Sequence, residues 1–299
     1  MRILLLGRTG QLGWELERTL APLGEIYALG PEELNLTQLD ALAQRIHEVH
    51  PQVIVNASAY TAVDRAEQQV DLAMQLNVQA PAVMAKAARE LNVTLIHFST
   101  DYVFDGEKDF AYTEDDATNP LNVYGQSKLD GEQAIIKAGC TYVILRTSWV
   151  YSLRGDSFVS KTLAWARQQE KLRIVSDQVG SPTWARMLAE ITAVVLAQSK
   201  SAPQDYFTER SGVYHLGGSG SVSRLDFARA ILRLDSRADE QKVRTLEAAS
   251  TADFPTPAKR PLRTSLDCSR FESTFGLRLP NWEESLRLAM SEQPTNPGP

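Results

Sequence analysis

Residues 2–13 read RILLLGRTGQLG, a short apolar run followed by a glycine-rich turn. The turn fits the pattern G-x-x-G-x-x-G through Gly7, Gly10 and Gly13. The apolar run predicts a buried strand, and the leucines at positions 12, 16 and 20 predict a helix after the turn. Glycines let a backbone approach a pyrophosphate, and a helix N-terminus offers free N–H donors. This stretch predicts the first βα unit of a dinucleotide-binding fold, although a turn without a ligand also fits the pattern.

Strand and helix patterns alternate outward from this unit. Helical patterns include residues 39–49, where the apolar side chains share one face. The alternation predicts an α/β fold, namely a Rossmann-like, doubly wound parallel sheet with helices on both faces. We expect its further strands at residues 25–29, 53–55, 94–98, 142–146 and 172–175, with a last one at 213–216.

The alternation weakens after about residue 150, which predicts two lobes. We expect a dinucleotide-binding domain over residues 1–150, completed by a return segment at about 172–216. Residues 151–171 and 217–292 then form a smaller, discontinuous α/β lobe that binds the substrate. The proline-rich residues 293–299 are expected to be a frayed tail.

Composition excludes several classes of protein. The chain has 31 basic and 37 acidic residues, a formal net charge of −6, and no basic block that nucleic acid binding would need. Its apolar runs are shorter than the ~18 residues of a membrane span. Two cysteines, Cys140 and Cys268, cannot form a disulfide framework and indicate a reducing compartment. With no recognisable export signal, we expect a cytoplasmic protein without nucleic acid or membrane partners.

A second motif joins Tyr124 and Lys128 in the pattern Y-x-x-x-K. This spacing places both side chains on one helix face. A lysine cation beside the phenol predicts a tyrosine pKa below its usual ~10, which suits a proton donor to a carbonyl oxygen near neutral pH. Taken alone, the spacing also fits a surface helix pair.

The run Ser99-Thr100-Asp101 follows the fourth expected strand. Ligands of parallel sheets bind at the carboxyl ends of the strands, so a hydroxyl here can hydrogen-bond a substrate oxygen. The same run also fits an ordinary helix cap. His97, inside that strand, is interpreted as a packed core residue.

The order of these motifs resembles the extended short-chain dehydrogenases/reductases. Finer motifs over residues 1 to about 290 resemble one family among them, the dTDP-4-dehydrorhamnose reductases. Those motifs are AYTAVD at 59–64, STDYVF at 99–104, NPLNVYG at 119–125, RTSWVY at 146–151, DQVGSPT at 177–183 and FPTPAKRP at 254–261. The resemblance implies NAD(P)H-dependent reduction of the C4 ketone of dTDP-4-dehydrorhamnose (dTDP-4-dehydro-6-deoxy-L-mannose). The product is dTDP-L-rhamnose, and the reaction is the last step of dTDP-rhamnose biosynthesis.

The resemblance also implies roles for individual residues. Tyr124 gives the proton, assisted by Lys128 and Thr100. Thr100, Asp101 and Trp149 face the sugar, and we infer from charge and position that Arg260 reaches the diphosphate. The cofactor is expected along Gly7, Arg8, Gly10, Gln11, Leu12, Gly13, Ala59, Tyr60, Thr61, Phe98, Tyr124 and Lys128.

Two departures from the family pattern concern the cofactor and a metal. Gly30 stands where an acidic residue commonly binds the adenosine ribose, and Arg8 could meet a 2′-phosphate or be a solvated surface charge. This favours NADPH over NADH only slightly. Some members dimerise through magnesium held by glutamates. Glu15 and Glu292 match such positions, but Arg186 stands where a third carboxylate is expected, so we predict no metal. Monomer and homodimer both remain open.

Rival functions differ at identifiable positions. A sugar-nucleotide dehydratase would carry a glutamate where Tyr102 stands, and an epimerase/reductase of the GDP-fucose type would have a cysteine near Thr100. A non-catalytic NADP-binding regulatory subunit tends to lose the tyrosine or the lysine, and both are present here. Another sugar-nucleotide reductase/epimerase of the superfamily and the regulatory subunit are the alternatives that remain.

Overall fold

A computed structural model describes residues 1–199 and 202–292, so the tail expected at 293–299 lies outside the described residues. The strands are β1 (Arg2–Leu6), β2 (Glu25–Leu29), β3 (Val53–Asn56), β4 (Thr94–Thr100), β5 (Thr141–Thr147), β6 (Val150–Tyr151), β7 (Lys171–Val175), β8 (Val179–Gly180), β9 (Thr183–Trp184), β10 (Gly212–His215), β11 (Val222–Ser223) and β12 (Thr245–Ala249). The helices are α1 (Gln11–Leu20), α2 (Leu39–Val49), α3 (Val63–Ala66), α4 (Val70–Met74), α5 (Ala80–Leu91), α6 (Val123–Ala138), α7 (Phe158–Gln168), α8 (Ala185–Gln198), α9 (Pro203–Thr208), α10 (Arg224–Arg233), α11 (Ser269–Phe275) and α12 (Trp282–Met290).

Six parallel strands form the central sheet in the order β2-β1-β3-β4-β5-β10. Successive residues of a strand point to opposite faces, so Leu5 packs with α1 and α8 while Leu4 packs with α2 and α5. Both faces of the sheet are therefore covered, which confirms the predicted doubly wound fold. From β1 the chain moves outward to β2 and then back to β3, which places the topological switch point between β1 and β3.

The strand expected at residues 172–175 forms, but it does not join the central sheet. It is part of β7, which pairs with β12 in a separate two-stranded sheet. Its residues alternate between buried and exposed, whereas all seven residues of β4 are buried. A strand with one wet face cannot sit inside a sheet covered on both sides. The sixth strand of the central sheet is instead β10, and helix α8, which precedes it, packs on α1. The prediction that residues 172–175 join the central sheet is therefore wrong.

A separate apolar core lies outside the central sheet. Tyr151, Phe227 and Leu286 are buried there, contributed by β6, α10 and α12. Helix α10 packs between this core and the sheet formed by β7 and β12. The division of the chain into lobes stays a proposal. In the described part of the chain, no helix has the length and apolarity needed to cross a bilayer.

Two glycines of the first turn have different structural reasons. Gly7 has φ +91°, and a Cβ there would lie 2.8 Å from the carbonyl carbon of Ala57, in the loop after β3. Gly13 lies inside α1, where a Cβ would come 2.0 Å from the carbonyl oxygen of Gly7. Because Gly13 has no side chain, the first turn of α1 packs directly on the backbone of the loop after β1.

We predict that Gly13→Ala destabilises the fold. The new methyl group has backbone on its far side, and overpacking of this kind costs about 1–3 kcal/mol, enough to lower the melting temperature by several degrees. Gly10→Ala is the matched control, because its Cβ would have its nearest neighbour 3.4 Å away. Thermal unfolding followed by circular dichroism measures the difference. Equal melting temperatures for the two variants would contradict the packing role of Gly13.

Candidate active site

A cavity of about 940 Å³ opens at the carboxyl edge of the central sheet. The loop after β1 and the loop after β3 both line it, so it lies at the topological switch point. The ends of β2, β4 and β5 add further walls, and the lining also includes Trp149 and Arg224. This is the position at which ligands bind to open parallel sheets.

Most of the residues predicted to bind ligands line this cavity. Among the residues expected to contact a cofactor, the lining includes Gly7, Gly10, Gln11, Leu12, Ala59, Thr61, Phe98, Tyr124 and Lys128. Among those expected to contact the sugar, it includes Thr100, Asp101 and Trp149. The fold thus brings the glycine turn and the Tyr-Lys pair, far apart in sequence, to one space.

Tyr60 and Gly13 lie outside the lining. The Tyr60 hydroxyl donates a hydrogen bond of 2.7 Å to the side chain of Gln69. Asn77 holds the Tyr60 main chain, accepting from its N–H and donating to its carbonyl oxygen, and also donates to Ser127 of α6. Tyr60 and Gly13 therefore shape the cavity wall through backbone packing, and Asn77 is a supporting residue that the sequence did not reveal.

Arg8 and Arg260 also lie outside the lining, and each has a carboxylate partner. Arg260 forms an ion pair with Asp64 at 2.6 Å. Arg8 forms one with Glu33 at 3.0 Å, and Glu33 also accepts a hydrogen bond of 2.8 Å from the backbone of Gly30. The Glu33 carboxylate, three residues after Gly30, is thus engaged by Arg8 and by the Gly30 backbone, and Glu33 is not among the residues that line the cavity.

Tyr124 does not have the lowered pKa that the sequence predicted. Burial raises its pKa, the nearby carboxylate of Asp101 adds to the increase, and a hydrogen bond with Thr100 opposes it. Lys128 directs its Nζ to the carbonyl oxygen of Phe98 at 2.7 Å and to the ring of His97 at 3.1 Å. The prediction is wrong because spacing along a helix does not report how deeply the phenol is buried.

Asp101 holds the loop after β4 to the rest of the site. Its carboxylate accepts hydrogen bonds from Ser148 at 2.8 Å, Thr264 at 2.5 Å and Thr100 at 3.2 Å. Burial raises the Asp101 pKa, and these three hydroxyl groups oppose the increase. The carboxylate therefore fixes the position of Thr100, which in turn contacts the phenol of Tyr124.

Arg224 is a cavity residue that sequence reasoning missed. It begins α10, and its guanidinium lies 3.4 Å from the centre of the Trp149 ring. Burial lowers its pKa to about 10, while Tyr102 and Asp101 act in the opposite direction. Trp149 itself has φ +45°, and its ring occupies the space that a side chain on Gly180 would fill. Nothing at the start of α10 distinguishes this arginine from an ordinary surface residue.

A third carboxylate, that of Glu190, lies beside Arg186, so the expectation that Arg186 stands in its place is wrong: burial and the neighbouring Glu15 and Glu292 raise the Glu190 pKa, and Arg186 lowers it. The Arg186 Nε lies 3.3 Å from the Glu15 carboxylate, and its Nη1 bonds Glu292. A guanidinium therefore already bridges the two glutamates that would otherwise offer oxygen ligands to a divalent cation.

Comparison with known proteins shows which family the chain resembles. The family model described as the RmlD substrate binding domain matches residues 1–294. A dTDP-4-dehydrorhamnose reductase from Shigella flexneri is 40% identical over 297 residues, which cover 98% of each chain. The chain belongs to the dTDP-4-dehydrorhamnose reductase family. The family resemblance inferred from the motifs is confirmed.

Two solved structures of the reductase family have the same fold. The dTDP-4-dehydrorhamnose reductase of Clostridium acetobutylicum is 34% identical, with a TM-score of 0.88 over 97% of this chain and 99% of that one. The Bacillus anthracis dTDP-4-dehydrorhamnose reductase, in complex with NADP, is 32% identical, with a TM-score of 0.88 over 98% of this chain and 99% of that one.

We predict that chelation of divalent metal changes neither the activity nor the particle size of this family member. Arg186 supplies the positive charge between Glu15 and Glu292, so a bridging cation has no role there. Activity and sedimentation should be the same with and without EDTA. A smaller particle after EDTA treatment would show that a metal bridges copies of the chain.

Proposed function

We propose that the protein transfers a hydride from NADPH or NADH to the C4 ketone of dTDP-4-dehydrorhamnose and releases dTDP-L-rhamnose, the last step of dTDP-rhamnose biosynthesis. The observation that carries this proposal is the shared cavity, in which the glycine turn, Thr100, Tyr124 and Lys128 meet. The 40% identical relative from Shigella flexneri, named for this reaction, supports the same choice.

The residues at the glycine turn fit a dinucleotide. Helix α1 begins after Gly10 without a side-chain cap, so the first N–H groups of the helix are free to bind a pyrophosphate. Gly7 and Gly10 leave room for close approach, and Lys128 would bind the nicotinamide ribose through its Nζ–H groups. When bound, the reduced nicotinamide supplies the hydride.

Tyr124 is the proposed proton donor to the ketone oxygen. Because burial raises its pKa, the phenol keeps its proton at neutral pH and is in the form that can donate. Thr100 would stabilise the phenolate that remains after donation if its single hydroxyl proton turns from Asp101 to the phenolate oxygen. Thr100 and Tyr124 together therefore bind the carbonyl oxygen and supply its proton.

The substrate side of the cavity offers cations for a nucleotide diphosphate sugar. Trp149 and Asp101 would face the sugar, and Arg224, held on the Trp149 ring, adds a half-buried positive charge beside them. For Arg260 we propose contact with the diphosphate. One of its guanidinium nitrogens, Nη1, is buried without a hydrogen-bond partner among the described residues, and this supports the proposal.

We further propose that the enzyme acts in the cytoplasm as a monomer or a homodimer without a bridging metal. The low cysteine content supports a reducing compartment, and the Arg186 bridge supports assembly without a cation.

We predict that Tyr124→Phe abolishes turnover while cofactor still binds. Removal of the acid should lower kcat by at least about 100-fold, the usual scale of general acid catalysis. The assay follows NADPH and NADH oxidation with enzymatically made dTDP-4-dehydrorhamnose, and cofactor fluorescence measures binding. Tyr60→Phe is the control, because that hydroxyl contacts Gln69 outside the cavity. Undiminished turnover in Tyr124→Phe would remove this phenol from the mechanism.

We predict that Glu33→Gln increases the preference for NADPH. The Glu33 carboxylate forms an ion pair with Arg8 at 3.0 Å beside the end of β2. There it would keep Arg8 from pairing with a 2′-phosphate, and its own charge would repel that phosphate. Loss of one such interaction is worth about 1 kcal/mol, so KM for NADPH should fall about fivefold while KM for NADH changes little. Glu32→Gln, at the neighbouring position, is the control. An equal change for both cofactors would contradict this role.

A further inference from the structure

A series of contacts between buried side chains leads away from the cavity, from Lys128 to His97 and then to Asn56. The Lys128 Nζ lies 3.1 Å from Nε2 of His97, and Nδ1 of His97 lies 2.9 Å from Nδ2 of Asn56. His97 and Asn56 have no exposed surface, and Lys128 is 1% exposed. Water therefore cannot complete the hydrogen bonds of His97 and Asn56, and each of their donors must meet a partner within the protein.

The orientation of the Asn56 amide follows from its other partner. The backbone N–H of Ser58, which can only donate, lies 3.0 Å from Oδ1 of Asn56, and the Ser58 hydroxyl lies 2.5 Å from the same oxygen. These two donors require the oxygen on that side. The NH₂ group of Asn56 therefore faces His97, and it can only donate.

The tautomer of His97 follows in turn. Because the Asn56 NH₂ donates to Nδ1, that nitrogen must be the acceptor, and the proton of the neutral ring is on Nε2. Burial and the charge of Lys128 lower the His97 pKa well below its ordinary value, so the ring is neutral. Its Nε2–H then points at the Nζ of Lys128.

An N–H group that points at an amine stabilises the neutral form of that amine relative to its ammonium form. A neutral amine can accept this hydrogen bond with its lone pair while it donates to the carbonyl oxygen of Phe98 at 2.7 Å. An ammonium group has no lone pair, so it would place one N–H against another. We propose that Asn56 fixes His97 in its Nε2–H tautomer and that His97, as a positioning residue, favours loss of a proton from Lys128.

The other charged groups near Lys128 do not remove this effect. Glu132, one turn further along α6, raises the Lys128 pKa, but its carboxylate also forms an ion pair with Arg146 of β5 at 2.6 Å and accepts from Ser99. Tyr124, one turn earlier, has a raised pKa and stays neutral. Burial lowers the Lys128 pKa to about 8, which is within the range where the enzyme can be assayed.

The consequence for catalysis rests on the proposed function, whereas the tautomer does not. The ammonium form of Lys128 is the one that can offset the negative charge left on Tyr124 after proton donation. Activity should therefore decline as pH rises through the Lys128 pKa. A change that reverses the His97 tautomer should raise that pKa and move the decline to higher pH.

The tautomer can be measured directly on the ligand-free protein by ¹⁵N NMR of labelled histidine. We expect a protonated Nε2 and an unprotonated Nδ1 for His97. His215 is an internal control of the opposite kind, because its Nδ1 lies 3.0 Å from the carbonyl oxygen of Tyr112 and must donate to it. A His97 ring protonated on Nδ1, or on both nitrogens, at neutral pH would overturn the proposal without any variant or substrate.

Asn56→Asp tests the coupling to Lys128. A carboxylate at this position still accepts from Ser58 but now also accepts from Nδ1–H of His97, so the tautomer should reverse and Nε2 should accept from the ammonium of Lys128. We expect the alkaline limb of kcat/KM to move up by about one pH unit, the lower end of the shift that such a neighbour causes. A reversed tautomer with an unmoved alkaline limb would overturn the effect on Lys128. Absence of activity in the wild type would instead refute the proposed function and leave the tautomer result standing.

Discussion

The hydrogen bond from Lys128 to the carbonyl oxygen of Phe98 joins the two elements on which the site depends. A buried amine must have partners, and this one finds them on β4, at the Phe98 backbone and the His97 ring. The bond fixes α6 against the carboxyl end of β4. Because Tyr124 lies one turn before Lys128, the same bond brings its phenol beside Thr100, at the end of that strand. Proton donor, hydroxyl and amine are thus positioned by one contact between helix and sheet.

The sequence was sufficient to predict an element of the fold where the local pattern and the long-range packing favour the same structure. The run at residues 2–13 forms β1 and α1 as predicted, because an apolar strand, a glycine turn and an amphipathic helix are all local features. Residues 172–175 show the limit of this reasoning. Their β-forming pattern predicted a strand, but only the packing of α8 on α1 decides which sheet the strand can reach.

The motifs of the site were predicted from the sequence, but the pKa shifts of its residues were not. Spacing placed Tyr124 and Lys128 on one face of α6, yet the direction of the tyrosine pKa depends on burial, which the sequence does not show. Arg224 was missed because it reaches the cavity from the start of α10, far along the chain from the recognised motifs, through stacking on Trp149. Residues outside recognisable motifs, such as Asn56 and Asn77, act through hydrogen bonds that exist only after the chain has folded.

In the proposed reaction, hydride passes within this cavity from a reduced nicotinamide to the C4 carbon of a keto-sugar nucleotide. Cofactor deuterated at the transferring position of the nicotinamide, with dTDP-4-dehydrorhamnose as substrate and proton NMR of the product, tests this transfer. We expect dTDP-L-rhamnose that lacks the proton signal at C4 because deuterium occupies that position. Product with an intact C4 proton, or deuterium at another carbon, would contradict it.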